Sequence, residues 1–193
     1  MIYIDDHING FDLETALTLL SEQRREQALK FRFEQGRRTC VLAYLLLMRG
    51  LRQEFGIEEK PLFEYGEHGK PRIVGHPEVH FNLSHCRQAV VCAVSHQPVG
   101  VDVESVREYK ESLIDYTMNV DEQALIRRAE RPEVAFTRLW TQKEALLKLT
   151  GEGISRDLKT VLSQASGVSF TTVERLDKNY IYTICKYNGK KDC

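Results

Sequence analysis

The stretch GVDVES, residues 100–105, sets two carboxylates two positions apart on a segment otherwise built from valine. Successive side chains of an extended strand point to opposite faces, so Val99, Val101 and Val103 share one face while Asp102 and Glu104 share the other. Like charges roughly 6–7 Å apart on one strand face repel unless water or a cation separates them. Two readings follow. Either this is a half-buried strand with an acidic outer face, or its acids hold a divalent cation.

Working outward, SHQP at 95–98 reads as a tight turn that delivers the run 88–95 into 99–104, so that the acidic strand would pair beside its predecessor. Upstream, 13–34 is rich in helix formers with recurring leucines (Leu13, Leu17, Leu20), and 37–54 predicts a second helix whose apolar middle implies deep burial. FEYGEHGKPRIV (63–74), VHFNLSH (79–85) and QAVVCAVS (88–95) then read as three strands separated by turn residues. Downstream, the pattern predicts helices at 109–118, 121–131 and 133–149, strands near 168–174 and 179–187, and a polar tail. Helices then strands occur twice, which points to an α+β fold in two halves, 1–97 and 98–193.

The 193 residues carry 27 basic and 28 acidic side chains, a formal net charge of −1, so no global field draws the chain to nucleic acid or to a membrane surface. MIYIDDHING lacks the charged and apolar regions of a secretion signal, and the longest apolar run, CVLAYLLLM (40–48), is too short to span a bilayer. A cytoplasmic protein is expected. Five cysteines, Cys40, Cys86, Cys92, Cys185 and Cys193, without a C-x-x-C argue against zinc and redox chemistry.

Three other clusters carry chemistry. In WTQKEALLKLTGEG (140–153) helical spacing puts Trp140, Lys143, Glu144, Leu147 and Lys148 on one broad side; Glu144 and Lys148 could equally be an ordinary i,i+4 ion pair and Trp140 a core residue. Ser84 and His85 close HFNLSH with a hydroxyl and an imidazole at a strand end, suited to phosphate oxygens or to a simple cap. Between residues 24 and 38, Arg24, Arg25, Lys30, Arg32, Arg37 and Arg38 outnumber Glu26 and Glu34 by four, which suits either a solvated helix or a ligand with several phosphates. Lys70, in HGKP, adds a further cation.

In that order, YGEHGKP, FNLSH, GVDVES and WTQKEALLK resemble the 4′-phosphopantetheinyl transferase superfamily, in its Sfp-type branch, over about residues 65–153. The resemblance implies a fold of two pseudosymmetric helix-plus-antiparallel-sheet halves. It implies Mg²⁺-dependent transfer of the phosphopantetheine arm of coenzyme A to a serine of an acyl or peptidyl carrier protein, with release of adenosine 3′,5′-bisphosphate. Matched position by position, Asp102, Glu104 and Glu144 hold Mg²⁺, with Glu144 also placed to act as base, and Lys148 contacts the transferred phosphate. Arg24, Arg38, Thr39, Lys70, Ser84 and His85 hold coenzyme A. Two halves in one chain, against the half-length trimeric synthases, imply an internal site and a monomer. A non-catalytic coenzyme A-binding or regulatory module is the alternative, but a pure binder has no use for three acids and Lys148 together. Gln142, between the tryptophan and the lysine–glutamate pair, departs from many relatives without touching a ligand position.

Overall fold

The computed structural model describes residues 1–66, 69–151, 153 and 157–189; Glu67 and His68 of YGEHGKP, the polar tail from 190 and Cys193 lie outside the described residues. Helices and antiparallel strands occupy separate layers, an α+β architecture.

The first sheet has the order β1 (Ile2–Asp5), β5 (Val90–Ser95), β4 (His80–His85), both pairings antiparallel. Helix α3 (Glu34–Phe55) lies across it, burying Val41, Tyr44, Leu47 and Leu51 against Tyr3, Phe81, Val90 and Val94. Gly56 ends α3 in the left-handed region at φ 67°, a conformation glycine adopts without the Cβ clash other residues meet. Residues 13–34 form two helices rather than one, α1 (Leu13–Thr18) and α2 (Glu22–Leu29), because Asp12 and Ser21 each accept an N-terminal backbone N–H and so start a new helix. FEYGEHGKPRIV is a hairpin of two short strands, β2 (Phe63–Tyr65) and β3 (Pro71–Ile73), rather than one strand. Strand β1 has no counterpart among the sequence expectations; four residues are too few for alternation to register.

The second sheet has the order β6 (Val99–Ser105), β8 (Tyr180–Tyr187), β7 (Val168–Arg175), again antiparallel. The expectation that the acidic strand pairs beside its predecessor fails here. β5 is flanked on both edges by β1 and β4, so the 95–98 turn carries the chain into a different sheet, where β6 pairs with β8. Val99, Val101 and Val103 face back onto Ala89, Val91 and Ala93, and this dry valine layer joins the sheets. Helices α4 (Glu111–Thr117), α5 (Val120–Arg128) and α6 (Pro132–Thr150) follow the three downstream helical predictions within a few residues. Pro132 starts α6 and Gly151 ends it in the left-handed region, at φ 79°.

Two close approaches fix β6 in place. On its free edge β6 would present unpaired N–H groups; Asn82 Oδ1 accepts from Val101 N–H (3.0 Å) and Ser84 Oγ from Val103 N–H (3.2 Å), so side chains of β4 finish what no strand pairs. On the opposite side of β6 from the valines, α6 lies directly on Gly100. A Cβ there would overlap the Ala145 carbonyl oxygen and stand 2.5 Å from the Leu149 nitrogen, both backbone atoms that no rotamer change can move. Gly100→Ala is therefore expected to lift α6 off β6 and to cost about 3 kcal/mol, read as a lower urea midpoint at unchanged slope. A midpoint equal to wild type would contradict this contact.

Candidate active site

Gly100, Asp102 and Glu104 share the face of β6 that α6 covers, and α6 runs antiparallel to the strand, so the helix positions 148, 144 and 140 follow one another along it. The backbone contact at Gly100 thus brings Lys148 and Glu144 to the two acids. Thr183, the register partner of Asp102 on β8, shares hydrogen bonds with Thr141 of α6 (2.8 Å) and Thr172 of β7 (2.9 Å), which fixes helix against sheet one turn from Glu144.

Asp102 is buried, 3% exposed. Its Oδ1 accepts from Ser84 Oγ (2.8 Å) and from Lys148 Nζ (2.6 Å). Its Oδ2 is buried without a hydrogen-bond partner, and so is Glu144 Oε1. A buried carboxylate oxygen without a donor is costly, about 1–3 kcal/mol or more for a charged group, so two beside each other are exceptions that call for a reason. Glu144 does not form the i,i+4 pair with Lys148 that spacing alone allows, because the lysine turns to Asp102 instead. Burial first, and then the negative charge of Asp102, raises the Glu144 pKa, with Lys148 opposing. Glu104 is raised for the same two reasons in the same order, with Arg107, Trp140 and Lys148 opposing.

Hard oxygen donors, two of them buried and unpartnered, with the Glu104 and Glu144 pKa values raised by burial and then by the charge of Asp102, suit Mg²⁺, which takes only a few carboxylates and fills the rest of its shell with water or phosphate. Among the described residues, no three acidic, histidine or cysteine side chains converge closely enough to ligate one ion as they stand. The cation now on Asp102 is the Lys148 ammonium.

A cleft of about 250 Å³ opens beside this cluster, lined in part by Lys70, Asn82, Glu144, Leu147, Lys148 and Gly151. Lys70 donates to the carbonyl oxygens of Lys148 (2.7 Å) and Leu149 (3.0 Å), where the negative end of the α6 dipole favours a cation. Burial and the neighbouring Arg72 lower its pKa. His85 ends β4 as an exposed residue; desolvation by its neighbours, then the charges of Lys148 and Arg24, lower its pKa and favour the neutral imidazole. Arg24 donates to Gln27 Oε1 (3.0 Å) and to the Cys40 carbonyl (3.2 Å), lies over the Phe63 ring, and keeps a buried Nε without a partner. Thr39 is buried next in sequence to Cys40, its hydroxyl donating to the Gln35 and Gly36 carbonyls at 3.1 Å each.

Ser84, Asp102, Glu144 and Lys148 are thus drawn together, with Glu104, Lys70 and His85 beside them. Arg38 is engaged elsewhere, donating to Glu34 Oε1 and the Phe11 carbonyl and stacking on the Phe11 ring. One residue that supports the site went unnoticed in the sequence, and another was assigned to the wrong face. Asn82 shares the alternating face of β4 with Ser84, and that alternation was there to be read. Lys143 is fully buried, its Nζ on Glu122 Oε2 (2.7 Å) and the Leu158 carbonyl (2.6 Å); Glu122 also closes the capping box of α5 with Asn119. No periodicity signals a buried lysine, and it lies off the face assigned to it.

A family model described as the 4′-phosphopantetheinyl transferase superfamily matches residues 98–189. The chain is 34% identical to the 4′-phosphopantetheinyl transferase psf-1 of Bacillus pumilus over 84% of its own length and 71% of that protein. It is 26% identical to the 4′-phosphopantetheinyl transferase Sfp of Bacillus subtilis (strain 168), over 94% and 84% respectively. It is 33% identical to the 4′-phosphopantetheinyl transferase HetI of a Nostoc species, over 75% and 65%.

The raised glutamates predict a pH signature. A carboxyl whose folded pKa stands above its ordinary 4.5 contributes stability that is fully present below 4.5 and is lost as pH rises through the folded value. Glu144→Gln stays neutral throughout. The Tm of the ligand-free variant, minus that of wild type, should be near zero in acid and grow to a few degrees in favour of the variant as pH rises through the folded pKa. A difference that stays flat or falls with pH would contradict the crowding of Glu144 by burial and Asp102.

Proposed function

The chain belongs to the Sfp-type 4′-phosphopantetheinyl transferases, and from that membership we propose that it moves the phosphopantetheine arm of coenzyme A onto a serine of an acyl or peptidyl carrier protein, with Mg²⁺. The observation that carries this reading is the pair of buried, unpartnered carboxylate oxygens, Asp102 Oδ2 and Glu144 Oε1, beside Lys148 and Ser84.

Asp102, Glu104 and Glu144 are the residues that would hold Mg²⁺. When bound, the ion supplies positive charge to the pyrophosphate oxygens and lowers the cost of charge developing on the leaving phosphate. Lys148, partly exposed at the cleft, binds an oxygen of the transferred phosphoryl group as a point charge. The carrier serine Oγ attacks the pyrophosphate phosphorus that bears pantetheine. Its bond to the bridging oxygen breaks, and adenosine 3′,5′-bisphosphate leaves with the electron pair. The serine proton passes to Glu144, directly or through water, a task for which a raised pKa suits a glutamate. His85, as neutral imidazole, and Ser84 orient the nucleotide end, with Lys70 at the cleft wall. Arg24 and Thr39 extend the binding surface along α2 and α3, and the unpartnered Arg24 Nε supports that role. For Arg38 the support is proximity in sequence to Thr39 alone, since its donors already serve Glu34 and Phe11.

With the halves taken as 1–97 and 98–193, Ser84 of the first touches Asp102 of the second. One chain therefore supplies every named residue, and we take the enzyme to act as a monomer in the cytoplasm.

Incubation with coenzyme A, Mg²⁺ and a panel of carrier domains should increase the mass of at least one by one phosphopantetheine per serine. Asp102→Asn should slow that transfer about 100-fold or more at unchanged far-ultraviolet dichroism. Wild-type rates for Asp102→Asn at limiting Mg²⁺ would remove Asp102 from the ligand set, and no mass gain on any carrier would contradict the substrate assignment.

A further inference from the structure

Ser84, Asp102 and Lys148 form a closed knot. A hydroxyl has one proton to donate and two lone pairs to accept with, and Ser84 spends all three: it donates to Asp102 Oδ1 (2.8 Å) and accepts from Val103 N–H (3.2 Å) and Lys148 Nζ (2.9 Å). The same ammonium lies 2.6 Å from Asp102 Oδ1. In this arrangement neither the serine nor that carboxylate oxygen is free to take a further ligand. The lysine can leave. Its side chain is 29% exposed, against 4% for Asp102, while its backbone carbonyl is held by Lys70 at 2.7 Å, so the stem can swing from a fixed point.

A lone buried carboxylate is strongly unfavourable, and a partner ammonium offsets that cost only with good geometry and further hydrogen bonds. Asp102 has both on its Oδ1 side and neither on its Oδ2 side. The ammonium therefore offsets the charge of Asp102 on one side of the carboxylate only.

We propose that Lys148 is an internal stand-in for the divalent cation: it neutralises Asp102 through Oδ1 while the protein is free of substrate, and a substrate phosphate that draws it into the cleft leaves the carboxylate, Oδ1 together with the already unpartnered Oδ2, to the ion. This rests on the metal and coenzyme A reading above and adds the coupling between the two ligands. One side-chain movement releases Asp102 Oδ1, restores a lone pair to Ser84 and delivers Lys148 to the phosphate. The cation is then held weakly by the substrate-free protein and tightly by the complex, and the two ligands promote each other through Lys148 as well as through direct contact.

Mn²⁺ serves as the probe, its free concentration read by electron paramagnetic resonance during titration of the protein without coenzyme A. Lys148→Met, which keeps the stem and removes the charge, is expected to bind Mn²⁺ roughly tenfold tighter than wild type, and Asp102→Asn in the same background should abolish the gain. Coenzyme A should tighten Mn²⁺ binding more in wild type than in Lys148→Met, because the variant has no ammonium to displace. Lys148→Gln, equally free of charge, repeats the measurement should the methionine variant fold poorly. If both neutral variants bind Mn²⁺ no tighter than wild type, while wild type with coenzyme A binds it in an Asp102-dependent way, the ion site stands and the stand-in is wrong. If wild type with coenzyme A shows no Asp102-dependent Mn²⁺ at all, the metal reading falls and the stand-in falls with it.

Discussion

The absence of a side chain at Gly100 sets the rest of the site. Because no Cβ intervenes, the backbone of α6 at Ala145 and Leu149 rests on β6 itself, closer than any side-chain-mediated packing allows. From that contact the helix repeat brings Lys148 and Glu144 over Asp102. The acids of one strand and the groups of one helix become a single cluster, although 41 residues lie between Asp102 and Glu144.

The second constraint is the free edge of β6. A strand with unpaired N–H groups invites pairing with any other chain, and here Asn82 and Ser84 of β4 cover the N–H groups of Val101 and Val103. Ser84 therefore has a structural task and, on the proposed reading, a functional one. By closing the edge it also carries its hydroxyl to Asp102. The valine layer on the other side of β6 leaves little room for adjustment, so the carboxylates are crowded by rigid surroundings, and the raised pKa values of Glu104 and Glu144 follow from burial first and the charge of Asp102 second.

Much of this could be read in the sequence where one element carried its own period. The alternation of GVDVES sorted valines from acids correctly, and the helix predicted at 133–149 is α6 within a residue at either end. What could not be read depends on what lies across a gap. No local pattern announces that β6 pairs with β8, some eighty residues later, rather than with β5. Nor does one announce that Lys148 prefers Asp102 to the glutamate one turn away, or that Lys143 points inward to Glu122. Helical spacing put Lys143 beside Glu144; the burial of its ammonium comes from tertiary packing alone. The basic run from 24 to 38 separated for a similar reason, since Arg24 donates to the Cys40 carbonyl within α3 while Arg38, on α3 itself, reaches the Phe11 carbonyl.

The place between Asp102, Glu104 and Glu144, and the departure of Lys148 from Asp102, decide how the site works. The most direct measurement is a crystal structure of the protein with coenzyme A and Mn²⁺, using the anomalous signal to locate the ion. The account predicts an anomalous peak bounded by these three carboxylates and the pyrophosphate, with Lys148 Nζ moved from Asp102 to a phosphate oxygen. A peak elsewhere, or an ion at the carboxylates with Lys148 still 2.6 Å from Asp102 Oδ1 as it is in the free protein, would contradict it.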